Sequence, residues 1–223
     1  MHRYLVFDLD GTLVDSLPGI AEGVNRALAS LGRPRHTPEA VRGMIGRGAA
    51  NLCAAAIGYA DASLAPAEEL APMQQAFARE YAHCWQGNFT RPYPGVREML
   101  LALAGQGARL AVLSNKPHEV TLPMVRTLFP EVPFDPIFGF TGRFPRKPDP
   151  AALRCIAEGW GVALPQLVMV GDSRYDALTA ENAGCGLLLL SWGYGGDLSR
   201  WGSAVVPSAE AALERLLGGG KLE

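Results

Sequence analysis

The sequence predicts an α/β fold: a doubly wound parallel sheet with a Rossmann-like core and a small all-helical cap inserted after the first strand. Three observations carry this. Short Val/Leu runs recur along the chain without polar alternation, as strands buried on both faces of a parallel sheet require. Helical patterns with recognisable ends separate most of these runs. The stretch 16–90 breaks the alternation and shows helical periodicity with no convincing strand.

Taken in order, Tyr4–Phe7 ("YLVF") reads as strand one. Leu17, Ile20, Val24, Leu28 and Leu31 then fall on one helical face. "GRPRHTP" at 32–38 is a connection, 38–45 a short helix, and "IGRGAANL" at 45–52 a Gly-flanked turn leading into another helix. Residues 67–86 make a longer helix ending near Gly87. This segment is long enough to form its own bundle, so the expected domains are a core of 1–15 with 91–223 and a cap of 16–90. The core resumes with a helix from Pro94 to Ala104 and a second strand at Leu110–Leu113. A helix over 118–129 is interrupted by Pro123. Asp149-Pro150 caps the next helix, which Gly159 or Gly161 closes. Leu167–Val170 is a third strand, Tyr175–Ala183 a helix stopped by Gly184, Gly186–Leu190 a fourth strand and 208–217 the last helix.

With a net charge of −2 over 223 residues there is no basic excess, so nucleic acid is not an expected partner. The longest apolar runs fall far short of membrane-spanning length, so no membrane is expected either. No secretory leader is expected, because the first residues already read as a core strand. Cys53, Cys84, Cys155 and Cys185 are scattered and form no CxxC pair, which fits reduced thiols in a cytoplasmic protein. Leu222-Glu223 has the look of a cloning scar and enters no element. Oligomeric state leaves no mark in the sequence.

Ligands of open parallel sheets bind beyond the carboxyl ends of the strands. Strand one delivers Asp8 and Asp10 there. The second delivers Ser114-Asn115-Lys116, the third Gly171-Asp172-Ser173, with Asp176 in the first turn of the following helix. Lys147, in "RKPDP", precedes another helix. Singly, each has an ordinary explanation: a turn residue, a cap, a solvated lysine. Together, in order and each at a strand end or helix start, they place acids, a hydroxyl and a lysine in one crevice. Clustered carboxylates raise one another's pKa unless a cation lies between them. Oxygen ligands without His or Cys favour Mg2+.

"DLDGT" at 8–12, "SN" at 114–115, "KP" at 147–148 and "GDSRYD" at 171–176 resemble the four motifs of the haloacid-dehalogenase superfamily of phosphohydrolases. The resemblance spans nearly the whole chain, including a helical cap after motif one. Within the superfamily, "VGDSRYDALTAENAGCGLLLLSWGYG" and the "IGRG" turn are most similar to the phosphoglycolate phosphatases.

The resemblance implies roles. Asp8 would attack phosphorus and become an aspartyl phosphate. Asp10 would protonate the leaving oxygen and then activate water, its backbone carbonyl binding Mg2+. Asp8 and Asp172 would be the direct metal ligands, with Asp176 and Ser173 behind them. Asp176 would hold metal-bound water or orient Lys147. Ser114, Asn115 and nearby N–H groups would hold the phosphoryl oxygens, and Lys147 would offset charge on Asp8 and the transferring group. Gly11 and Thr12 allow close approach to the substrate. Arg47, between Gly46 and Gly48, is the cap's candidate for reading a substrate carboxylate.

The expected activity is thus Mg2+-dependent hydrolysis of a small phosphorylated metabolite, 2-phosphoglycolate first among them. A sugar-phosphate phosphatase, a pyrophosphatase and a β-phosphoglucomutase-like mutase are the alternatives. A dehalogenase would need neither Asp10 nor the metal-binding acids. A non-catalytic binding protein on a decayed fold would not keep every catalytic position filled.

Overall fold

In the computed structural model, which describes residues 1–220, the strands are β1 (Tyr4–Phe7), β2 (Val14–Asp15), β3 (Arg91–Pro92), β4 (Arg109–Pro117), β5 (Phe134–Phe140), β6 (Leu167–Gly171), β7 (Gly186–Leu190) and β8 (Val205–Val206). Leu222-Glu223 lie outside the described residues. Six strands make one sheet of order β5-β4-β1-β6-β7-β8, every pair parallel, and β2 and β3 make a separate two-stranded sheet. The helices are α1 (Leu17–Ser30), α2 (Pro38–Arg42), α3 (Ala49–Ala56), α4 (Ala67–Cys84), α5 (Val96–Gly105), α6 (His118–Leu128), α7 (Ala151–Trp160), α8 (Arg174–Ala183) and α9 (Ala209–Gly218). The chain divides into two compact units, one of Met1–Val14 with the chain from Pro92 onward, the other Asp15–Arg91.

The first unit is the doubly wound α/β core. Leu5, Val6 and Phe7 are all fully buried. Successive strand residues point to opposite faces, so both faces of β1 are covered, as its unbroken apolar run requires. On one face Val6, Met169 and Leu187 pack with Leu153, Ile156 and Trp160 of α7 and Ala177 and Ala180 of α8. Phe7 is paired with Val112 on one side and Val170 on the other. The chain segments beyond Phe7, Val112 and Val170 therefore emerge together at one edge of the sheet. The chain goes from β1 to β4 on one side and later returns to β6 on the other, so that edge holds the topological switch point.

Several boundaries differ from the sequence expectation. α5 begins at Val96, because Gly95 before it is left-handed at φ 75°. Gly161, left-handed at φ 68°, closes α7, while Gly159 lies inside it. Pro123 sits within α6 without ending it. β4 runs on to Pro117, past the four residues expected. β5, "FDPIFGF", is half-buried at the sheet edge, where a proline is tolerated, and its Pro and Gly hide the strand pattern.

The second unit is helical between β2 and β3. Ile20, Val24 and Leu28 of α1 are buried, as are Met73, Phe77 and Tyr81 of α4. Gly23 lets Tyr81 approach: a Cβ there would lie 3.1 Å from its ring. Leu31, expected on the apolar face, caps α1 and is exposed. Thr37 caps α2, accepting from Ala40 N at 3.2 Å, and α2 stops at Arg42. The four cysteines are free, and burial pushes the Cys53 thiol up to about 12. No helix among the described residues is long and apolar enough to cross a membrane.

Candidate active site

β1 ends directly in the buried Asp8, whose Oδ1 accepts from Leu9 N at 2.7 Å. The chain then reverses through Gly11 at φ 82°, a conformation L side chains rarely adopt. Space forbids a side chain there as well: a Cβ would lie 2.4 Å from Asp172 Oδ2. The reversal carries the Thr12 hydroxyl to Asp172, donating to Oδ1 at 2.7 Å. Thr12 thus braces Asp172, a role beyond the expected approach to substrate.

β6 delivers Asp172, 2% exposed, and Ser173 starts α8. Ser173 Oγ accepts from Tyr175 N at 3.2 Å and donates to Asp176 Oδ2 at 2.6 Å, and Ser173 N donates to the same oxygen at 3.0 Å. This capping box fixes Asp176 in the first turn. The other Asp176 oxygen takes Lys147 Nζ at 2.6 Å, and the same ammonium reaches Asp8 Oδ1 at 2.9 Å.

β4 delivers Ser114, Asn115 and Lys116, all buried. The Ser114 hydroxyl accepts from Lys116 N at 3.3 Å, which leaves its own O–H to donate. Both ends of the Asn115 amide bond the backbone of Lys147: Oδ1 accepts from N at 2.8 Å and Nδ2 donates to O at 3.1 Å. Asn115, expected on the substrate, here holds the lysine loop. Lys116, given no role from sequence, points its ammonium at both oxygens of Asp10, at 2.9 and 3.0 Å.

A second feature missed from sequence is the loop after β7. Tyr194 N donates to Asp172 Oδ2 at 2.7 Å, and Trp192 Nε1 to Thr12 O at 3.3 Å. A Cβ at Gly193 would lie 2.3 Å from Asp172 Oδ2, and one at Gly195 would lie 1.8 Å from the Asp172 carbonyl oxygen. The alternating glycines of "SWGYGG" were the available signal.

The site therefore holds four carboxylates, Asp8, Asp10, Asp172 and Asp176, against two ammonium groups, Lys116 and Lys147. Oxygens of Asp8, Asp172 and Asp176 all lie within 4.8 Å of one another. Burial, above all, raises the Asp8 carboxyl to about 7; Lys147 opposes the rise and Asp176 adds to it. Asp172 is likewise raised, first by burial and then by Asp176 and Asp8. Lys147, though buried, is held above the usual lysine range by Asp176 and Asp8. Crowded carboxylates resisting ionisation fit a site built for a further cation. One divalent ion would balance the charges, and an all-oxygen donor set suits a hard one.

All the expected core residues come together in the first unit. Arg47 belongs to the helical unit, where its guanidinium donates to Ala60 O at 2.8 Å and lies 3.7 Å from Asp61. Gly46 and Gly48 beside it have positive φ, and Gly48 starts α3.

The sequence model of the haloacid dehalogenase-like hydrolases matches residues 5–190. A phosphoglycolate phosphatase of Pseudomonas putida is 40% identical over 197 residues, 86% of this chain and 70% of that protein. A plasmid-encoded phosphoglycolate phosphatase of Cupriavidus necator is 37% identical over 210 residues, 93% and 90% of the two chains. Among solved structures, a predicted phosphoglycolate phosphatase from Haemophilus somnus superposes with a TM-score of 0.87 at 30% identity, covering 96% of this chain and 97% of its own.

Proposed function

The chain belongs to the haloacid dehalogenase-like hydrolase family, and from that premise we propose that it is a magnesium-dependent phosphatase acting on a small phosphate monoester through an aspartyl phosphate on Asp8. The carrying observation is the state of Asp8. Leu9 N and Lys147 both bond its Oδ1, and Oδ2 has no hydrogen bond among the described residues. One oxygen is thus held while the other is open to attack phosphorus, and a carboxylate needs no activating base for that step once ionised.

Asp8, Asp172 and the backbone carbonyl of Asp10 would hold the magnesium ion, which when bound supplies positive charge to the phosphoryl oxygens. The chain does the rest. Lys147 offsets charge on Asp8 as the Oδ2–P bond forms, and Asn115 keeps the lysine loop in place. Ser114 donates to a phosphoryl oxygen. Asp10 gives a proton to the leaving oxygen as the P–O bond breaks, then takes one from the water that attacks the phosphoenzyme. Asp8 is regenerated and phosphate leaves.

Relatives named phosphoglycolate phosphatase support 2-phosphoglycolate as the substrate. Four cysteines with no disulfide between them suit a cytoplasmic location. A sugar phosphate, pyrophosphate or a mutase reaction would use the same core residues. A panel of these compounds, assayed for phosphate release with Mg2+ and with excess EDTA, tests the reading. The expected result is metal-dependent release with 2-phosphoglycolate foremost. Release that is equal in EDTA, or absent throughout, would contradict it.

A further inference from the structure

We infer that Lys116 determines specificity, reading a carboxylate carried by the substrate on the leaving side of the scissile P–O bond. The inference rests on the phosphatase reading above. The two buried ammonium groups divide the site between them. Lys147 faces Asp8 and Asp176, the attacking side. Lys116, with a side chain 5% exposed, faces both oxygens of Asp10. In the proposed reaction Asp10 serves the leaving oxygen, so whatever is bonded to that oxygen arrives beside Lys116.

Asp10 already pairs with this buried ammonium, and an uncharged alcohol leaving group would bring no second anion to it. A phosphorylated 2-hydroxy acid does: its carboxylate is one carbon from the leaving oxygen. Lysine acts as a compact point charge with rotatable donors, so it can share its ammonium between Asp10 and an incoming carboxylate. Sharing would bring that carboxylate against the cation and keep Asp10 next to the oxygen it must protonate. Arg47, the cation expected from sequence for this task, is engaged by Ala60 and Asp61 within its own unit.

The test compares wild type, Lys116→Met and Lys116→Arg, each with Mg2+, on three probes. 2-Phosphoglycolate carries the carboxylate. Ethyl phosphate has a similar leaving group without it. p-Nitrophenyl phosphate needs no proton on its leaving oxygen and reports an intact fold and core. Lys116→Met should lose roughly 10- to 150-fold in kcat/KM on 2-phosphoglycolate, the range of one charge-assisted hydrogen bond, mostly through KM. Any loss on ethyl phosphate, which also relies on the Asp10 that Lys116 holds, should be clearly smaller, p-nitrophenyl phosphate should be least affected, and Lys116→Arg should keep most of the preference for 2-phosphoglycolate over ethyl phosphate. Equal losses on 2-phosphoglycolate and ethyl phosphate would make Lys116 a positioning residue for Asp10 and overturn the inference. Equal losses on all three, or no loss on any, would overturn it too. Wild type that hydrolyses p-nitrophenyl phosphate but shows no preference for 2-phosphoglycolate over ethyl phosphate would overturn the inference and leave the phosphatase reading standing. Wild type inactive on every probe would remove that reading itself.

Discussion

Lys147 reaches Asp8 at 2.9 Å and Asp176 at 2.6 Å with one ammonium group, joining the end of β1 to the first turn of α8. Its side chain is only 2% exposed, so solvent does little to screen either contact. Removing this cation should leave two buried carboxylates facing each other. Lys147→Met is expected to lower stability by about 3–5 kcal/mol without metal, the usual cost of breaking a buried pair. It should also lower kcat about 10²- to 10³-fold, as loss of one electrostatic contact to the transferring group does. Added Mg2+ should restore part of the melting temperature and little of the rate. Calorimetry and phosphate release on one sample check this; a variant with wild-type melting and turnover would refute the assignment.

Asp10→Asn should slow both halves of the reaction by about 10²- to 10⁴-fold on an alkyl phosphate, whose leaving oxygen needs a proton. The loss in the first half should be much smaller on p-nitrophenyl phosphate. Pre-steady-state phosphate and alcohol release separate the halves. Unchanged turnover of an alkyl phosphate would exclude Asp10 as the acid.

The raised carboxyls of Asp8 and Asp172 give the metal-free protein a pH signature. A carboxyl whose folded pKa lies above its unfolded value stabilises the fold most below the unfolded value and loses that contribution as pH rises through the folded one. For Asp8 the window runs from 3.8 to about 7. Stability without metal should therefore decline across that window from this source. Mg2+ competes with the protons, so its stabilising increment should grow over the same range. Asp8→Asn should flatten both trends. Melting curves at several pH values, with EDTA or Mg2+, give the answer; an increment that shrinks with rising pH would contradict the account.

Gly195→Ala tests the loop after β7. The added Cβ would meet the Asp172 carbonyl oxygen at 1.8 Å, which backbone must yield to accommodate. Overpacking of this kind costs about 1–3 kcal/mol. Because Tyr194 N holds Asp172 Oδ2, the shift should also raise the Mg2+ concentration needed for half-maximal activity. A metal titration identical to wild type would show that the loop does not set Asp172.

Legibility in the sequence depended on where each signal lies. Asp8 could be read because three fully buried apolar residues lead straight into it, and Asp172 because it succeeds an equally buried strand. Those are local, unbroken apolar runs. β5 escaped because an edge strand needs little burial and admits the Pro and Gly that mimic a loop. Lys116 was placed at the strand end with Ser114 and Asn115 but given no role, because its partner Asp10 lies 106 residues away in the chain and no local pattern pairs them. The grip of Tyr194 on Asp172 is a contact across 22 residues, invisible to any periodicity. Arg47 was proposed from its flanking glycines, and the positive φ at both is what the structure shows there.

The central claim is that Asp8 carries the phosphoryl group. An acyl phosphate is reduced by borohydride to an alcohol, whereas a free carboxylate is not. Wild type and Asp10→Asn, quenched during turnover of 2-phosphoglycolate with Mg2+ and then reduced, should yield a peptide in which the Asp8 side chain alone has become an alcohol. The yield should be higher in Asp10→Asn, where the phosphoenzyme decays slowly, and nil in EDTA. Modification at another carboxylate, or none at Asp8 in either protein while substrate is consumed, would contradict the account.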